Sequence, residues 1–443
     1  MMNHFELISA VRAAGLVGQG GAGFPAHVKY AAKAETIIVN GCECEPLLAV
    51  DRFLLLHRAG DLLGAARLLA AETGASRVVV AVKRKHADIL DALKAADISG
   101  VELAALPDIY PAGDEQTLVR LVTGRTVPPL GLPLAVGALV ANVGTLLGAH
   151  DALAGRPVTA KVFTVTGEVA RPANIEAPLG TSIVECIEAC GGATVPNPVC
   201  ILGGPLMGRV LDSPDGAVVT KTLSGVVLLP RDHILHRNAR QKIHVMRRRA
   251  AAACIQCRMC TDLCPRYLNG QPFETHRVMR AFAAGAETTA EAARQALWCC
   301  ECGICEHMAC PMGLSPRRIN IAVKNILRAG LSAPTAESPC EPRPFAPYRM
   351  TPTARLAARV GLGPYMILRP DGLELRAPSR VRIPLKQHIG APALPVVATG
   401  DMVRVGDLLG EIPEGSLGAR VHAGIAGRVT LENDAVVIER SPV

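Results

Sequence analysis

The chain has 443 residues, enough for roughly two to four domains at about 100 to 200 residues each. With 49% hydrophobic residues, 3% aromatics and charge spread along its length, the chain is neither a disordered tail protein nor a disulfide-stapled mini-domain. The net charge of +8 is local: residues 231–249 hold Arg231, Arg237, Arg240, Lys242, Arg247, Arg248 and Arg249 against Asp232 alone, with no aromatic to stack on a base, so a solvated helix face or a docking surface for an acidic partner fits better than a nucleic-acid site.

The first residues lack a basic segment leading into an apolar core, so no secretory signal is expected, and the cysteines of a cytoplasmic chain stay reduced. Residues 1–155 then alternate: a helix over 6–16, a glycine run, a strand over 36–40, a long helix near 51–72, strands over 77–82 and 101–106, and a helix near 87–96 between them. Such alternation predicts a parallel sheet covered on both faces. The run Gly18-Gln19-Gly20-Gly21-Ala22-Gly23-Phe24-Pro25 follows a helix instead of a first strand, so the ordinary dinucleotide fingerprint does not apply. Taken alone it is a turn whose backbone N–H groups are open to a phosphate or a flat ring. Residues 127–149 are uncharged but carry Pro128, Pro129, Pro133 and several glycines, which suits loops and buried segments, and no membrane span is expected.

Residues 156–232 change to short apolar runs over 161–166, 199–202 and 226–229 between Gly and Pro turns, with one helix over 182–190. A small β-rich domain is predicted. Cys186 and Cys190 stand four apart on that helix and read as core residues.

Nine of the 15 cysteines fall within residues 254–310. Cys254-x2-Cys257-x2-Cys260-x3-Cys264-Pro265 and Cys299-x2-Cys302-x2-Cys305-x4-Cys310-Pro311 both resemble the run of two-cluster bacterial ferredoxins, the second with one extra residue before its last cysteine. Structural zinc would ask for two separated pairs instead of two runs of four. The resemblance implies two [4Fe–4S] clusters with exchanged fourth ligands: Cys254, Cys257, Cys260 and Cys310 for one, Cys299, Cys302, Cys305 and Cys264 for the other. Cys300 is read as a bystander. The stretches 273–298 and 319–329 read as helices, giving a helical two-cluster domain over 233–332.

Residues 333–380 form a Pro-rich linker with one helix over 353–362. Residues 381–443 are β again, from Pro384-Leu385-Lys386-Gln387-His388-Ile389-Gly390-Ala391-Pro392 to His422-Ala423-Gly424-Ile425-Ala426, and look like a barrel-sandwich hybrid of the lipoyl-carrier type. No lysine occupies the hairpin position that a carrier modifies.

Four ordered segments carry a further resemblance: the glycine run, Asn40-Gly41-Cys42-Glu43-Cys44-Glu45-Pro46, Tyr110-Pro111-Ala112-Gly113-Asp114-Glu115-Gln116, and Asn142-Val143-Gly144-Thr145-Leu146. They look like the flavin site of the NADH-oxidising subunit of respiratory complex I and of the C subunit of the Rnf complex. The resemblance implies an FMN and NADH site. Gly18, Gly20, Gly21, Gly23 and Phe24 would line it, Lys29 would face negative charge, and Asn40, Glu43, Asp114, Glu115, Asn142 and Thr145 would hydrogen-bond the cofactor or nucleotide, with Glu43, Asp114 and Glu115 as candidate catalytic carboxylates. Gln19, often basic in those families, and Cys42, usually a small residue there, are departures.

Residues 156–232 resemble the soluble ligand-binding β-grasp domain of the same families. In the C subunit of the Rnf complex the barrel segment precedes the flavin domain; here it follows the cysteines, an order similar to the cobalamin reductases of propanediol-utilising bacterial microcompartments. That resemblance implies a corrinoid as electron acceptor, a partner that handles corrinoids (an adenosyltransferase or a diol dehydratase system), and a place in or on a microcompartment beside a shell protein. Alternatives left open are an Rnf-C-like protein exchanging electrons between NADH and ferredoxin, a supply to a glycyl-radical system, and a non-catalytic electron-wiring component.

Overall fold

A computed structural model describes residues 6–286, 290–328, 340–367, 371–375 and 378–440. The expected boundary at 332/333 and the end of the helix expected over 319–329 lie outside the described residues.

Four parallel strands form the first sheet, in the order Glu102–Leu106, Arg77–Lys83, Thr36–Gly41, Ala138–Asn142. Alternation sorts their side chains. Ile37, Val39, Val80, Val82 and Leu139 face one core with helices Ala59–Thr73 and Val143–Leu153, whereas Ile38, Ala81 and Val140 face a second core with helix Glu115–Thr123. The chain leaves the first strand toward Arg77–Lys83 and returns on its other side as Ala138–Asn142, so the carboxyl ends of those two strands flank a topological switch point. The long helix expected near 51–72 is two, Val50–His57 and Ala59–Thr73. The break falls at Arg58, whose guanidinium bridges Asp61 and Asp151; that tertiary ion pair leaves no trace in local periodicity.

The second sheet has six strands, built around Ala160–Gly167, Ala173–Pro178, Val199–Leu202 and Gly225–Leu229, with helix Ile183–Ala189 held by a Ser182/Glu185 capping box. The stretch expected as linker contributes to two sheets. Asp371–Glu374 extends this sheet beside Ala173–Pro178, and Thr351–Pro352 pairs with Ile109–Tyr110 before helix Thr353–Arg359. Proline content hid this, because edge pairing uses backbone groups that composition does not report.

Helices Ile243–Ala253, Thr275–Ala283 and Pro316–Arg328 enclose a core of Met246, Phe273, Val278, Phe282, Ile319 and Val323 that carries the cysteine loops. A π-helical turn, Cys305–Ala309, takes up the extra residue of the second cysteine run. Residues 380–440 form two sheets of four and three strands around Val381, Ile383, Leu409, Val429 and Ile438. Among the described residues, no helix is long and apolar enough to cross a membrane.

Candidate functional site

Asn40 and Asn142 are register partners at the carboxyl ends of adjacent strands, across the switch point. Each ties a loop. Asn40 Nδ2 donates to the Gly113 carbonyl at 2.9 Å, while its Oδ1 accepts from the Cys42 N–H at 3.2 Å. Asn142 caps helix Val143–Leu153 by accepting from the Gly144 N–H, and its Nδ2 reaches both Asp51 oxygens at 3.1 Å. Thr145 Oγ1 accepts from the Gln19 N–H at 2.9 Å and so pins the glycine run onto the same helix.

That run is a tight loop closed by the Gly18 N–H on the Phe24 carbonyl. Its apex, Gly20 to Ala22, is exposed, and a Cβ at Gly21 would meet nothing within 4 Å, whereas a Cβ at Gly20 would press on Asn142. The crevice above Asn142 is therefore open to a flat ring approaching backbone. Gly23, at φ 69°, is held from behind by the C-terminal sheets: the Ile389 N–H donates to its carbonyl, and a Cβ there would lie 2.8 Å from Thr222 and 3.2 Å from the His388 backbone. Phe24 is partly exposed at the rim, and Lys29 pairs with Glu115 at 2.8 Å in an exposed bridge.

Glu43 has φ 25°, and its carboxylate accepts from the Asp51 and Arg52 N–H groups at the start of helix Val50–His57. Burial, then the neighbouring Asp51, push Glu43 up to about 8; burial pushes Asp51 up to about 6 and Lys161 down to about 8. Lys161 also donates to the Gln19 side chain. Asp51 and Lys161 stand beside the crevice and were not brought forward by the sequence alone, and Gln19, noted there only as a departure, is joined to Lys161. A carboxylate in a helix's first turn looks like an ordinary dipole partner, and Lys161 lies on a different sheet. Glu43 also lines a cleft of about 560 Å³ with Arg52, Phe53, Lys85, Tyr365 and Met366, a volume in the range of small-molecule sites.

Asp114, expected to hydrogen-bond the cofactor or nucleotide, has two partners within the protein. It caps helix Glu115–Thr123 through the Thr117 N–H and holds Arg266 in a bidentate pair at 2.6 and 2.8 Å. Burial works to raise Asp114, but the guanidinium outweighs it and holds the carboxyl below the usual carboxylate range. Arg266 follows Cys264 by two residues, so this pair fastens the cysteine-bearing unit to the sheet. Tyr110 Oη donates to the Cys302 carbonyl at 2.7 Å, Arg120 to Asn269, and Gln271 to Gln116.

The thiols gather in two groups. Cys260 interacts with Cys310, Cys254 and Cys257; Cys264, Cys299, Cys302 and Cys305 neighbour one another. Among the described residues, no three His, Cys, Asp or Glu side chains are placed to hold a single metal ion; a cubane spreads its four thiolates around a larger body. Cys299 Sγ accepts from the Glu301 N–H and Asn320 Nδ2, and Cys310 Sγ from the Leu314 N–H, the kind of N–H···S contact that tunes a cluster. Cys300, read as a bystander, instead shares a hydrogen bond with the Cys302 thiol and feels Arg266. Glu301, at φ 63°, and Gly303, at φ 83°, fold the loop sharply on either side of Cys302.

The basic stretch is mostly exposed, with several of its residues engaged within the fold. Arg240 pairs with Asp212, Arg247 lies 4.4 Å over the Phe282 ring, and Arg249 donates to the Gly313 carbonyl.

Four family models match in chain order: the Nuo51 FMN-binding domain over residues 11–151, the SLBB domain over 162–210, a 4Fe-4S dicluster domain over 253–315 and the RnfC barrel sandwich hybrid domain over 373–441. The cobalamin reductase PduS of Salmonella typhimurium is 42% identical over 438 residues, covering 98% of this chain and 96% of that one. The chain belongs to the cobalamin reductase family. The cobalamin reductase PduS of Citrobacter freundii is likewise 42% identical, over 95% of this chain and 93% of its own length. The C subunit of the ion-translocating oxidoreductase complex of Pseudomonas aeruginosa is 37% identical over 58% of this chain and 33% of its own. The family is thus a flavin and iron–sulfur oxidoreductase family, and the open glycine apex and the two thiol groups fit FMN and two [4Fe–4S] clusters respectively.

Proposed function

We propose that this protein is an NADH-dependent cobalamin reductase that takes electrons at the crevice above Asn142 and delivers them singly to a corrinoid. The observation that carries the reading is the docking of both cysteine runs on the flavin unit, the Cys302 loop through Tyr110 and the segment after Cys264 through the Asp114–Arg266 pair, with Asn40 joining the Gly113 carbonyl beside Asp114 to the strand end next to Asn142. Bound FMN supplies the conversion of a hydride's electron pair into single electrons, and bound clusters carry them. In this reading Gly18, Gly20, Gly21, Gly23 and Phe24 line the ring and ribityl chain, with Lys29 and Glu115 at the rim. Asn40, Asn142, Thr145 and Asp114 position those loops. Glu43, with Asp51 and Lys161, holds a proton beside the crevice. Division into 1–155, 156–232, 233–332, 333–380 and 381–443 is part of the same proposal, as are a microcompartment location and an adenosyltransferase, diol dehydratase system or shell protein as partner.

An anaerobic absorbance titration of the cofactor-loaded protein with NADH, followed by hydroxocobalamin, tests it. Bleaching of flavin and cluster bands followed by the Co(II) spectrum is expected. Bleaching without any corrinoid response would overturn the acceptor, and no bleaching would overturn the donor site.

A further inference from the structure

The two thiol groups stand in opposite environments. Cys264, Cys299, Cys302 and Cys305 are all buried, at 6 to 8% exposure. Cys302 and Ile304 belong to an apolar core shared with Tyr110, the second sheet's Val199 and Val227, and Leu356 of the helix after Thr351–Pro352. Of the other group, Cys257 is exposed and Cys254, Cys260 and Cys310 are half-buried. Its surroundings are bare: Ile255 is 62% exposed and Met259 41% exposed on the first run, and Met312, just past Cys310, is 41% exposed. Cys305 and Cys260 interact across the gap between the groups, so the two are adjacent.

One-electron transfer falls steeply with distance, so burial decides which group a donor or an acceptor can reach. We infer that Cys264, Cys299, Cys302 and Cys305 form the electron-entry site, facing the flavin crevice, and that Cys254, Cys257, Cys260 and Cys310 form the exit site, through which the acceptor is served at the Ile255–Met259 loop. The inference rests on the flavin and cluster reading above. The balance is simple: NADH becomes NAD⁺ as its hydride yields two electrons and one proton, the proton passes to solvent, and the electrons cross from the entry to the exit group one at a time, reducing two equivalents of a one-electron acceptor.

The experiment compares Cys302→Ser with Cys257→Ser in the cofactor-loaded protein, reading cluster reduction by low-temperature electron paramagnetic resonance after rapid mixing with NADH. In Cys257→Ser the remaining cluster is expected to be reduced at the unaltered rate while hydroxocobalamin reduction falls at least tenfold. In Cys302→Ser the flavin is expected to bleach while the remaining cluster is reduced at least tenfold more slowly, although dithionite still reduces it. Reduction of that cluster by NADH at the unaltered rate overturns the order. Should either ligand variant fail to fold, Tyr110→Phe and Ile255→Asp leave all eight thiols in place. The first is expected to slow cluster reduction and the second only the passage of electrons to hydroxocobalamin; the reverse pattern overturns the proposal. If NADH leaves the flavin of the unaltered protein oxidised, the donor reading alone falls, and the same comparison with light-reduced flavin decides the order.

Discussion

The two cysteine loops share nearly the same spacing, yet one is wedged between three units of the molecule and the other faces solvent on a single helical core. Spacing sets what a loop can ligate, whereas the packing around it sets what can exchange electrons with it. The inner loop is tied to the flavin unit by Tyr110, and Asp114 holds Arg266, two residues past Cys264 at the end of the first run; the rest of the outer loop is held by its own neighbourhood, as where Arg258 reaches Asp262 at 3.3 Å and the Tyr267 hydroxyl at 3.1 Å.

The comparison breaks most readily at Asp114. Asp114→Asn leaves Arg266 mostly buried without its anion and is expected to lower stability by about 3 kcal/mol in urea denaturation, with partial recovery in the double variant that also carries Arg266→Gln. If the single variant were as stable as the unaltered protein, the cysteine-bearing unit would not depend on its tie to Asp114.

Protonation should also matter on the flavin side of the molecule. Glu43 is raised from about 4.5 to about 8, so the stability it contributes is full below the lower value and is lost as pH rises through the upper one. Asp51 acts in the same direction up to about 6, and Lys161, lowered to about 8, acts oppositely, losing its contribution as pH falls through that value. Glu43→Gln mimics the protonated carboxyl. Melting temperatures between pH 6 and 9 should fall more steeply in the unaltered protein than in the variant, and parallel curves would remove Glu43 from the pair.

Tyr110→Phe removes one buried hydrogen bond to the Cys302 carbonyl and should cost about 1 kcal/mol by thermal denaturation, with near-neutral packing otherwise. The smallest effect is expected at the outer loop: Arg258→Ala, losing exposed ion pairs, should stay within about 0.5 kcal/mol by the same measurement. A larger loss there would mean that the outer loop is as dependent on its pairs as the inner one.

Reversing Arg247, Arg248 and Arg249 together would be a poor probe of docking. Arg247 lies on Phe282 and Arg249 holds Gly313 near the second cysteine run, so charge reversal would disturb the core that carries both loops.

Much of this was legible in the chain. Local periodicity marked three of the four parallel strands, and the helix capped by Ser182 was visible over residues 182–190; the fourth strand, Ala138–Asn142, lay in a stretch whose prolines and glycines made it read as loops and buried segments. Cysteine spacing separated eight thiols from the rest, down to the extra residue that the π turn at Cys305–Ala309 accommodates. These features depend on chemistry within a few residues, which sequence order preserves. The roles of Asn40, Asp114 and Asn142 were legible as positions but not as partners: each was expected at a cofactor, and each is hydrogen-bonded to another loop.

What the tertiary structure alone decided is which groups meet. Asp51, Lys161 and Gln19 converge from three segments, Arg266 crosses from the cysteine unit to Asp114, and the C-terminal sheets reach back to Gly23, at the far end of the chain. The strand Asp371–Glu374 completes a sheet begun some two hundred residues earlier. Burial and pairing across such separations depend on how units dock. The amino-acid order fixes the ligands and the loops; docking fixes their surroundings, and the surroundings set protonation and access.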